Sequence, residues 1–283
     1  MAKPPQAPTH DAVALRGDYS LAAKDYTVPQ QWDNYTDAEH ALWKQLFERQ
    51  SKLIERYAAP EFVAGVRALG AQANAIPRFE DANRVLAAST GWEIVAVPGL
   101  IPEEIFFDHL ANKRFPVTVW IRKPEEIDYL VEPDVFHDYF GHVPLLTNPI
   151  FARFMQAYGA AGPKAIALGG LKMLARLYWY MVEFGLIRTA NGLKVYGSGI
   201  LSSKGETVYS IDSPKPHRIG FDLIRVMRTD YLIDDYQQSY FVLDSFEQLF
   251  EAGYNTDFAP IYREYSSQPG YAPTTVLPTD RLL

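Results

Sequence analysis

Residues 132–146 read EPDVFHDYFGHVPLL, and the interpretation of the whole chain begins from this stretch. It contains two of the six histidines, His137 and His142, which lie five residues apart among aromatic and aliphatic neighbours. Pro133 and Asp134 are typical of a helix start, because proline suits the first turn and an acid suits the positive end of the helix dipole. The stretch therefore predicts a helix that carries two imidazoles into an apolar surround.

The spacing of the two histidines is a weak metal signal by itself. In an ideal α-helix, residues five apart point about 140° away from each other. The four-residue spacing of zinc protease helices suits a shared ion better. Gly141 allows the helix to tighten or bulge and so to re-aim the ring of His142. From these residues alone, a metal site and a pair of hydrogen-bonded core histidines both stay open.

A later segment supplies a candidate for a third ligand. Residues 171–186 predict a long apolar helix in which Glu183 is the one carboxylate. A buried carboxylate must be protonated, ion-paired or bound to a metal. Arg176 and Arg188 are candidate ion-pair partners. Two histidines with one carboxylate are also the ligand set of non-haem iron(II) sites, which keep open positions for other ligands.

The composition restricts the classes of function. Hydrophobic residues make up 48% of the 283 residues, which is enough for a full core, and aromatic residues make up 14%. A net charge of −7 and the lack of a basic run argue against nucleic acid and anionic membranes as partners. The absence of cysteine excludes disulfides, thiolate catalysis and cysteine-ligated metal sites.

The composition also bears on location. The N-terminus lacks the apolar core of a signal peptide. No apolar run reaches the roughly 20 residues of a membrane span. A chain without cysteine fits a reducing compartment. We therefore expect a cytoplasmic protein.

The order of predicted elements indicates a mainly α protein with a few short β-strands, an α+β fold rather than an alternating α/β fold. Residues 1–30 are rich in proline, alanine and charge and are expected to form a loosely ordered N-terminal arm. Residues 31–270 are expected to form one catalytic domain, and residues 271–283 a C-terminal tail.

Three local patterns give predictions that a structure can test. Thr36 and Glu39 have the spacing of a capping box and predict a helix start. The glycines of residues 159–162 are expected to end a helix that begins near Pro149. Residues 198–201 and 207–210 are expected to be short strands separated by a turn.

Three blocks of the sequence resemble the pterin-dependent aromatic amino acid hydroxylases. They are PDVFHDYFGHVPL at 133–145, YWYMVEFGL at 178–186, and YGSGILSSKGE at 196–206. All three occur in the family's order and at compatible spacing, with weaker similarity from about residue 97 to residue 251. The most similar members are the bacterial ones that hydroxylate phenylalanine at position 4, in which the catalytic domain stands alone.

The resemblance implies a metal, cofactors and a reaction. His137, His142 and Glu183 would hold one Fe(II) on one face and leave the opposite face open. In the family, tetrahydrobiopterin or a related tetrahydropterin reacts with O2 at the iron, and an aromatic ring is hydroxylated. The expected reaction is L-phenylalanine to L-tyrosine, and the expected partners are this amino acid, O2 and the pterin.

The resemblance also implies a substrate site. Arg122 matches the family's carboxylate-binding arginine, whose planar guanidinium forms two parallel hydrogen bonds that a lysine cannot reproduce. Trp179 lies one helical turn before Glu183, where its indole can lie beside the metal and against the substrate ring. Other matched pocket positions are Tyr129, Leu130, Pro133, Phe184, Gly199 and Ser202.

The pterin is expected on residues 97–106. Phe106 matches the aromatic residue that stacks on the pterin ring in the family. Backbone contacts are expected from Val97, Gly99, Leu100 and Ile101. Two further residues are the catalytic candidates: Asp138, which resembles an acid that binds water between iron and pterin, and Tyr178.

Departures from the family pattern bear on specificity and assembly. Leu130 replaces a threonine of the animal enzymes, so that a hydroxyl contact is lost. Ile233 stands where tyrosine-hydroxylating members have an acid, which favours phenylalanine, although tyrosine and tryptophan hydroxylation stay open. The chain leaves no room for the family's N-terminal regulatory domain and shows no C-terminal heptad helix, so a monomer is expected.

Two other functions are compatible with the same residues. A zinc hydrolase could use the same two histidines and glutamate, with Asp138 as its general base. A binding protein without enzymatic activity could instead have an aromatic-lined pocket above a core network of histidine, glutamate and arginine.

Overall fold

The computed structural model describes residues 16–70 and 72–283. The helices are α1 (Asp37–Tyr57), α2 (Pro60–Leu69), α3 (Phe79–Ser89), α4 (Glu103–Ala111), α5 (Pro149–Ala167), α6 (Leu171–Tyr178), α7 (Ser198–Ser202), α8 (Lys204–Asp212), α9 (Leu223–Met227), α10 (Phe246–Tyr254) and α11 (Phe258–Tyr265). The strands are β1 (Glu93–Val97), β2 (Arg114–Thr118), β3 (Leu186–Thr189), β4 (Gly192–Val195), β5 (His217–Gly220) and β6 (Ser239–Leu243). Two turns, Phe136–His142 and Trp179–Glu183, are π-helical.

The strands form two small sheets. β1 and β2 pair in parallel, with α4 as the crossover between them. The second sheet has the order β4-β3-β6-β5, in which only the β3–β4 pair is antiparallel. The predicted fold class, mainly α with a few short strands, is confirmed.

The start of α1 follows from its capping residues. The Thr36 hydroxyl accepts a hydrogen bond from the Glu39 backbone N–H, and the Glu39 carboxylate accepts one from the Thr36 N–H at 2.8 Å. The predicted capping box is therefore confirmed. It satisfies two backbone donors that the first turn leaves without partners. The buried face of α1 carries Trp43, which packs edge to face on Phe136 of the first π-helical turn.

The predicted end of α5 at residues 159–162 was wrong, because the helix continues to Ala167. Its glycines serve close packing rather than termination. A Cβ at Gly162 would lie 2.1 Å from the Phe107 ring, and one at Gly159 would lie 2.4 Å from the backbone nitrogen of Ala111. Only residues without side chains allow α4 to lie this close to α5.

The two predicted strands at 198–201 and 207–210 were also wrong, since these residues lie in α7 and α8. The Ser203 side chain accepts a hydrogen bond from the Glu206 N–H and caps α8. α7 packs against the first π-helical turn, where a Cβ at Gly141 would lie 3.0 Å from the Ser198 carbonyl oxygen. Tertiary packing therefore determines a helix that the local composition did not indicate.

Both terminal segments contact the rest of the chain. Val28 N–H donates to the Ala96 carbonyl at 2.9 Å, and the Tyr19 hydroxyl donates to the Leu100 carbonyl at 2.7 Å. Near the other end, Leu282 forms an antiparallel bridge with Ile219 of β5. The division into arm, domain and tail stays a prediction, and residues 1–15 of the predicted arm lie outside the described residues.

Across the described ranges, no helix has both the length and the apolar character that crossing a membrane requires.

Candidate metal centre

The first π-helical turn explains how two histidines five residues apart can face the same point. In a π-helix the hydrogen bonds run from residue i to residue i+5, so a side chain five positions on returns to the same face. The Nε2 atoms of His137 and His142 lie 3.2 Å apart. The α-helical geometry that weakened the sequence signal therefore does not apply to this turn.

The second π-helical turn brings Glu183 to the same point. Phe184 N–H donates to the Trp179 carbonyl five residues earlier, at 2.9 Å. One carboxylate oxygen of Glu183 lies 3.1 Å from His142 Nε2, and the other lies 3.6 Å from His137 Nε2. The Ser198 hydroxyl donates to this second oxygen at 2.8 Å and fixes the carboxylate.

These three side chains fit a metal ion. Their ligand atoms face one another: the two Nε2 atoms lie 3.2 Å apart, and they lie 3.1 and 3.6 Å from different oxygens of the Glu183 carboxylate. For metal–ligand bonds of about 2.0–2.2 Å, donors at right angles lie about 3 Å apart. A cation between them would satisfy two imidazole lone pairs and one carboxylate, which otherwise converge in a largely buried place. Three protein donors would leave further coordination positions of such an ion open to other ligands.

The protonation states also suit ligands. Burial lowers the pKa of His137 to about 4, so the ring is neutral at pH 7. Burial alone would raise the pKa of Glu183, but the two imidazoles and Ser198 hold it at about 2. In the tautomer that leaves His137 Nε2 free, Nδ1 donates to the Ser202 hydroxyl at 2.9 Å and fixes the ring.

Arg122 is buried and paired with Asp134. Its Nε and one terminal nitrogen donate to the two carboxylate oxygens at 2.8 and 2.9 Å, and the other terminal nitrogen donates to the Ile127 carbonyl at 3.3 Å. Burial would raise the pKa of Asp134, but Arg122 and the His137 N–H hold it below its ordinary value. Three of the five guanidinium N–H bonds are therefore used within the described residues. One N–H on each terminal nitrogen remains.

The two catalytic candidates, Asp138 and Tyr178, lie next to the three candidate metal ligands. Asp138 is buried and accepts a hydrogen bond from the Thr118 N–H at 2.8 Å, and burial raises its pKa to about 7. The Tyr178 ring is stacked with the His142 ring at a centroid distance of 6.3 Å. Burial raises the pKa of Tyr178 well above its ordinary value, so its hydroxyl keeps its proton.

Trp179 and Phe184 form an aromatic group on the Glu183 turn. Their rings are stacked at 4.9 Å, and Gly199 lies against Phe184 and the Glu183 carbonyl. Trp179 also stacks on Tyr231 at 4.2 Å. The Trp179 indole N–H is buried and has no hydrogen-bond partner among the described residues.

The predicted pterin segment, residues 97–106, is connected to the candidate metal ligands through the ring of Tyr178. Phe106 on α4 packs edge to face on Tyr178 at 5.6 Å. Val97 ends β1, and Leu100 and Ile101 follow it. Gly99 has a φ of +154°, and a Cβ there would lie 2.7 Å from a Glu132 carboxylate oxygen. Only glycine suits that backbone conformation at so close an approach.

The remaining substrate candidates are more exposed and make fewer contacts with the other candidate site residues. Tyr129 is 57% exposed. Among the described residues it makes none of the ring contacts that join the other aromatic candidates. Leu130 and Pro133 are half-buried on the same segment. Ile233, at the position where tyrosine-hydroxylating members have an acid, is 70% exposed.

Comparison with known proteins connects this geometry to a family. A family model described as biopterin-dependent aromatic amino acid hydroxylase matches residues 13–268. The chain belongs to this family. The family predicted from the three sequence blocks is confirmed, and the candidate ligands His137, His142 and Glu183 lie within the matched residues.

Similar hydroxylases are found among bacterial proteins. Phenylalanine-4-hydroxylase of Chromobacterium violaceum is 53% identical over 279 residues, which cover 99% of this chain and 92% of that protein. Phenylalanine-4-hydroxylase of Caulobacter vibrioides is 52% identical over 262 residues, covering 93% and 89% of the two chains.

Solved hydroxylase structures share the fold. The C. violaceum phenylalanine hydroxylase crystal structure with bound iron and phenylalanine has a TM-score of 0.88 at 53% identity, covering 92% of this chain and 95% of that one. The structure of the same protein bound to cobalt has a TM-score of 0.91 at 55% identity, with coverage of 93% and 95%.

Three residues that contact the candidate site residues were not identified from sequence. Asp134 was interpreted as a helix-start acid, yet it binds Arg122 from twelve positions away. Ser198 belonged to a quoted block but was not assigned to Glu183. Tyr231 gave no signal, because its partner Trp179 is distant in sequence. The sequence offered one cue, at Asp134: this acid lies only three residues before the candidate ligand His137.

Proposed function

We propose that this chain hydroxylates L-phenylalanine to L-tyrosine, using O2 and tetrahydrobiopterin or a related tetrahydropterin, at Fe(II) held by His137, His142 and Glu183. The convergence of these three side chains on one point carries the proposal. Its support from comparison is the naming of relatives at 52–53% identity as phenylalanine-4-hydroxylase. It is further supported by the similar fold of a hydroxylase with bound iron and phenylalanine.

The iron and the pterin supply the oxygen activation, and the protein supplies binding and orientation. Arg122 is the proposed site for the substrate carboxylate. The remaining N–H bonds on its two terminal nitrogens form an end-on edge that fits a carboxylate with two parallel hydrogen bonds. Asp134 fixes the opposite edge of the guanidinium and offsets its charge. The arginine is thereby held rigid before the substrate arrives.

The substrate ring would lie between Arg122 and the iron. Trp179 and Phe184 offer apolar ring surface beside Glu183. Gly199 and Ser202 would form the wall that α7 contributes, and Pro133, Tyr129 and Leu130 the rim. The rim is apolar at Leu130, and Ile233 brings no acid, which favours phenylalanine over tyrosine because its ring has no hydroxyl to satisfy.

The pterin would lie on residues 97–106 with its ring on Phe106. Gly99, Val97, Leu100 and Ile101 would supply backbone contacts, and the missing side chain of Gly99 makes room for the Glu132 carboxylate beside this backbone. Asp138, whose pKa is about 7, is proposed to hold a water molecule between the pterin and the metal. Tyr178 would keep its hydroxyl protonated beside His142 and act as a hydrogen-bond donor.

We further propose that the protein works as a cytoplasmic monomer and binds neither nucleic acid nor membranes. The absence of cysteine fits a reducing compartment, and the net charge of −7 argues against nucleic acid and anionic membranes as partners. Light scattering of the purified chain tests its oligomeric state.

The decisive experiment measures tyrosine formed from phenylalanine by the purified chain. Fe(II), tetrahydrobiopterin and O2 are each omitted in turn, and zinc replaces iron in a parallel sample. Tyrosine should form only when all three are present. Hydrolysis supported by zinc, without oxygen uptake coupled to the pterin, would replace the proposal with a metallohydrolase. Hydroxylation of tyrosine or tryptophan at the same rate as phenylalanine would contradict the proposed preference for phenylalanine.

A further inference from the structure

The C-terminal segment, residues 270–283, is anchored by a buried ion pair. Arg225 of α9 and Asp280 have side chains that are 5% and 3% exposed, with Arg225 Nε 3.0 Å from the Asp280 carboxylate. Arg225 also donates to the Thr275 carbonyl at 2.6 Å. Asp280 accepts a second hydrogen bond from the Leu277 N–H at 2.8 Å. A pair so completely removed from water fixes the segment firmly, because separating its partners would leave a buried charge uncompensated.

The same segment holds the backbone that follows α9. Tyr271 N–H donates to the Arg228 carbonyl at 2.6 Å, and Asp230 N–H donates back to the Tyr271 carbonyl at 2.9 Å. Arg225 reaches the Thr229 hydroxyl as well. The C-terminal segment therefore fixes residues 228–230 from one side.

α6 and the second π-helical turn fix these residues from the other side. Arg176 forms an ion pair with Asp230 and donates to the Met227 carbonyl at 3.2 Å. The Tyr180 hydroxyl donates to the Asp230 carbonyl at 2.7 Å. Asp230 is thus bound on its N–H, its carbonyl and its carboxylate.

The next residue is Tyr231, which meets the proposed substrate wall. Its ring stacks on Trp179 at 4.2 Å with an interplanar angle of 13°. Trp179 lies four residues before the ligand Glu183. Beyond Tyr231 the chain runs into solvent, and Ile233 is 70% exposed. The stacking ring therefore stands at the boundary between a firmly held backbone and an exposed loop.

We propose that the C-terminal segment is a positioning element for the amino acid substrate, which acts by holding Tyr231 against Trp179. The Arg225–Asp280 pair fixes the segment, the segment fixes residues 228–230, and these set the position of the Tyr231 ring. The stacked ring in turn limits the orientations open to the indole. This inference rests on the proposed phenylalanine hydroxylation.

The test compares Asp280→Ala, Tyr231→Leu and the double variant in the iron-loaded full-length chain. Each single change should raise the KM for phenylalanine about fivefold to tenfold, the factor that one aromatic pair is worth. The kcat and the iron content should stay unchanged. If Asp280 acts through Tyr231, the double variant should have the KM of Tyr231→Leu alone.

Arg281→Ala is the matched control. It removes a partly exposed pair with Asp244 from the same segment and leaves the buried pair intact, so the KM should not change. If Asp280→Ala does not fold, Asp280→Asn keeps the shape and one acceptor, and it should raise the KM less but in the same direction. An unchanged KM in a folded Asp280 variant, or effects that multiply in the double variant, would overturn the inference. Failure of the unaltered chain to hydroxylate phenylalanine would instead refute the proposed function.

Discussion

The metal side and the amino acid side of this site are built differently. The side chains of the three metal ligands are at most 17% exposed, and each ligand side chain is in contact with another ligand. On the amino acid side, Tyr129 and Ile233 are 57% and 70% exposed. The metal ligands are held in place by burial and hydrogen bonds before any ion binds. The outer substrate residues have few contacts that would fix them, so binding must order them at an entropic cost.

His142→Ala removes a candidate metal ligand and should have the largest effect on activity. It removes one of three donors from a site whose other two ligands lie 3.1 and 3.2 Å away. We expect loss of stoichiometric iron and of all hydroxylation, measured by elemental analysis and tyrosine formation. His217→Ala, which removes a histidine from β5, should keep its iron. Full iron occupancy in His142→Ala would refute the ligand assignment.

Arg122→Lys tests whether binding of the amino acid can be weakened while binding of iron is kept. Lysine cannot supply two parallel hydrogen bonds to a carboxylate while also binding both oxygens of Asp134. The KM for phenylalanine should rise by roughly 100-fold, the value of one to two charge-assisted hydrogen bonds. Iron content should not change. An unaltered KM would remove Arg122 from the substrate site, and lost iron would show that the two sides are not separable.

Phe106→Ala addresses the proposed pterin site on residues 97–106, which belongs to neither side. Loss of one stacking ring should raise the pterin KM about tenfold. The phenylalanine KM should change less, because the contact of Phe106 with the triad passes through Tyr178. Steady-state kinetics with each ligand varied in turn would give the ranking. The opposite ranking would place the pterin elsewhere.

Glu206→Gln should have the smallest effect on the site itself, and it concerns stability. The buried Glu206 carboxylate accepts hydrogen bonds from the Gln237 N–H at 3.1 Å and the Tyr240 hydroxyl at 2.7 Å, and burial raises its pKa to about 7. The folded state therefore binds this proton more tightly than the unfolded state. The free energy of unfolding should fall by roughly 3–4 kcal/mol as pH rises from about 4.5 to above 7.

In Glu206→Gln this fall should be reduced, because no proton is lost from an amide. Urea unfolding at pH 5 and pH 8 measures it, with Glu247→Gln on α10 as a control that keeps the ordinary pH dependence. Equal pH dependence in the unaltered chain and in Glu206→Gln would contradict the role of this carboxylate.

Sequence reasoning reached the ligands but not their geometry. The geometry of an ideal α-helix argued against His137 and His142 as joint metal ligands. It did not apply, because the packing around this turn makes it π-helical, and the sequence alone does not show that packing. Gly141 was correctly singled out as the place where the helix could deform. Its contact is with α7, a helix that the sequence had suggested to be a strand. The resemblance to the family, and not the spacing, therefore carried the metal assignment.

The errors elsewhere have a common physical cause. Gly159 and Gly162 were interpreted by their local preference for turns, whereas the structure uses them to bring α4 and α5 together. The pairs Arg122–Asp134, Ser198–Glu183 and Trp179–Tyr231 join residues that are 12 to 52 positions apart. Such contacts depend on the tertiary fold, which local patterns do not encode.

The two π-helical turns make chain length itself a functional property. Each wide turn includes one residue more than an α-helical path over the same rise would need. Removing one residue from positions 180–182 would return the turn that carries Glu183 to an α-helical path, and the Glu183 side chain would then point about 100° away from its present direction relative to α6. A single codon deletion there should abolish iron binding while scarcely altering hydrophobic content or core volume. The extra residue of this turn is therefore as necessary to the metal centre as the identity of the ligand.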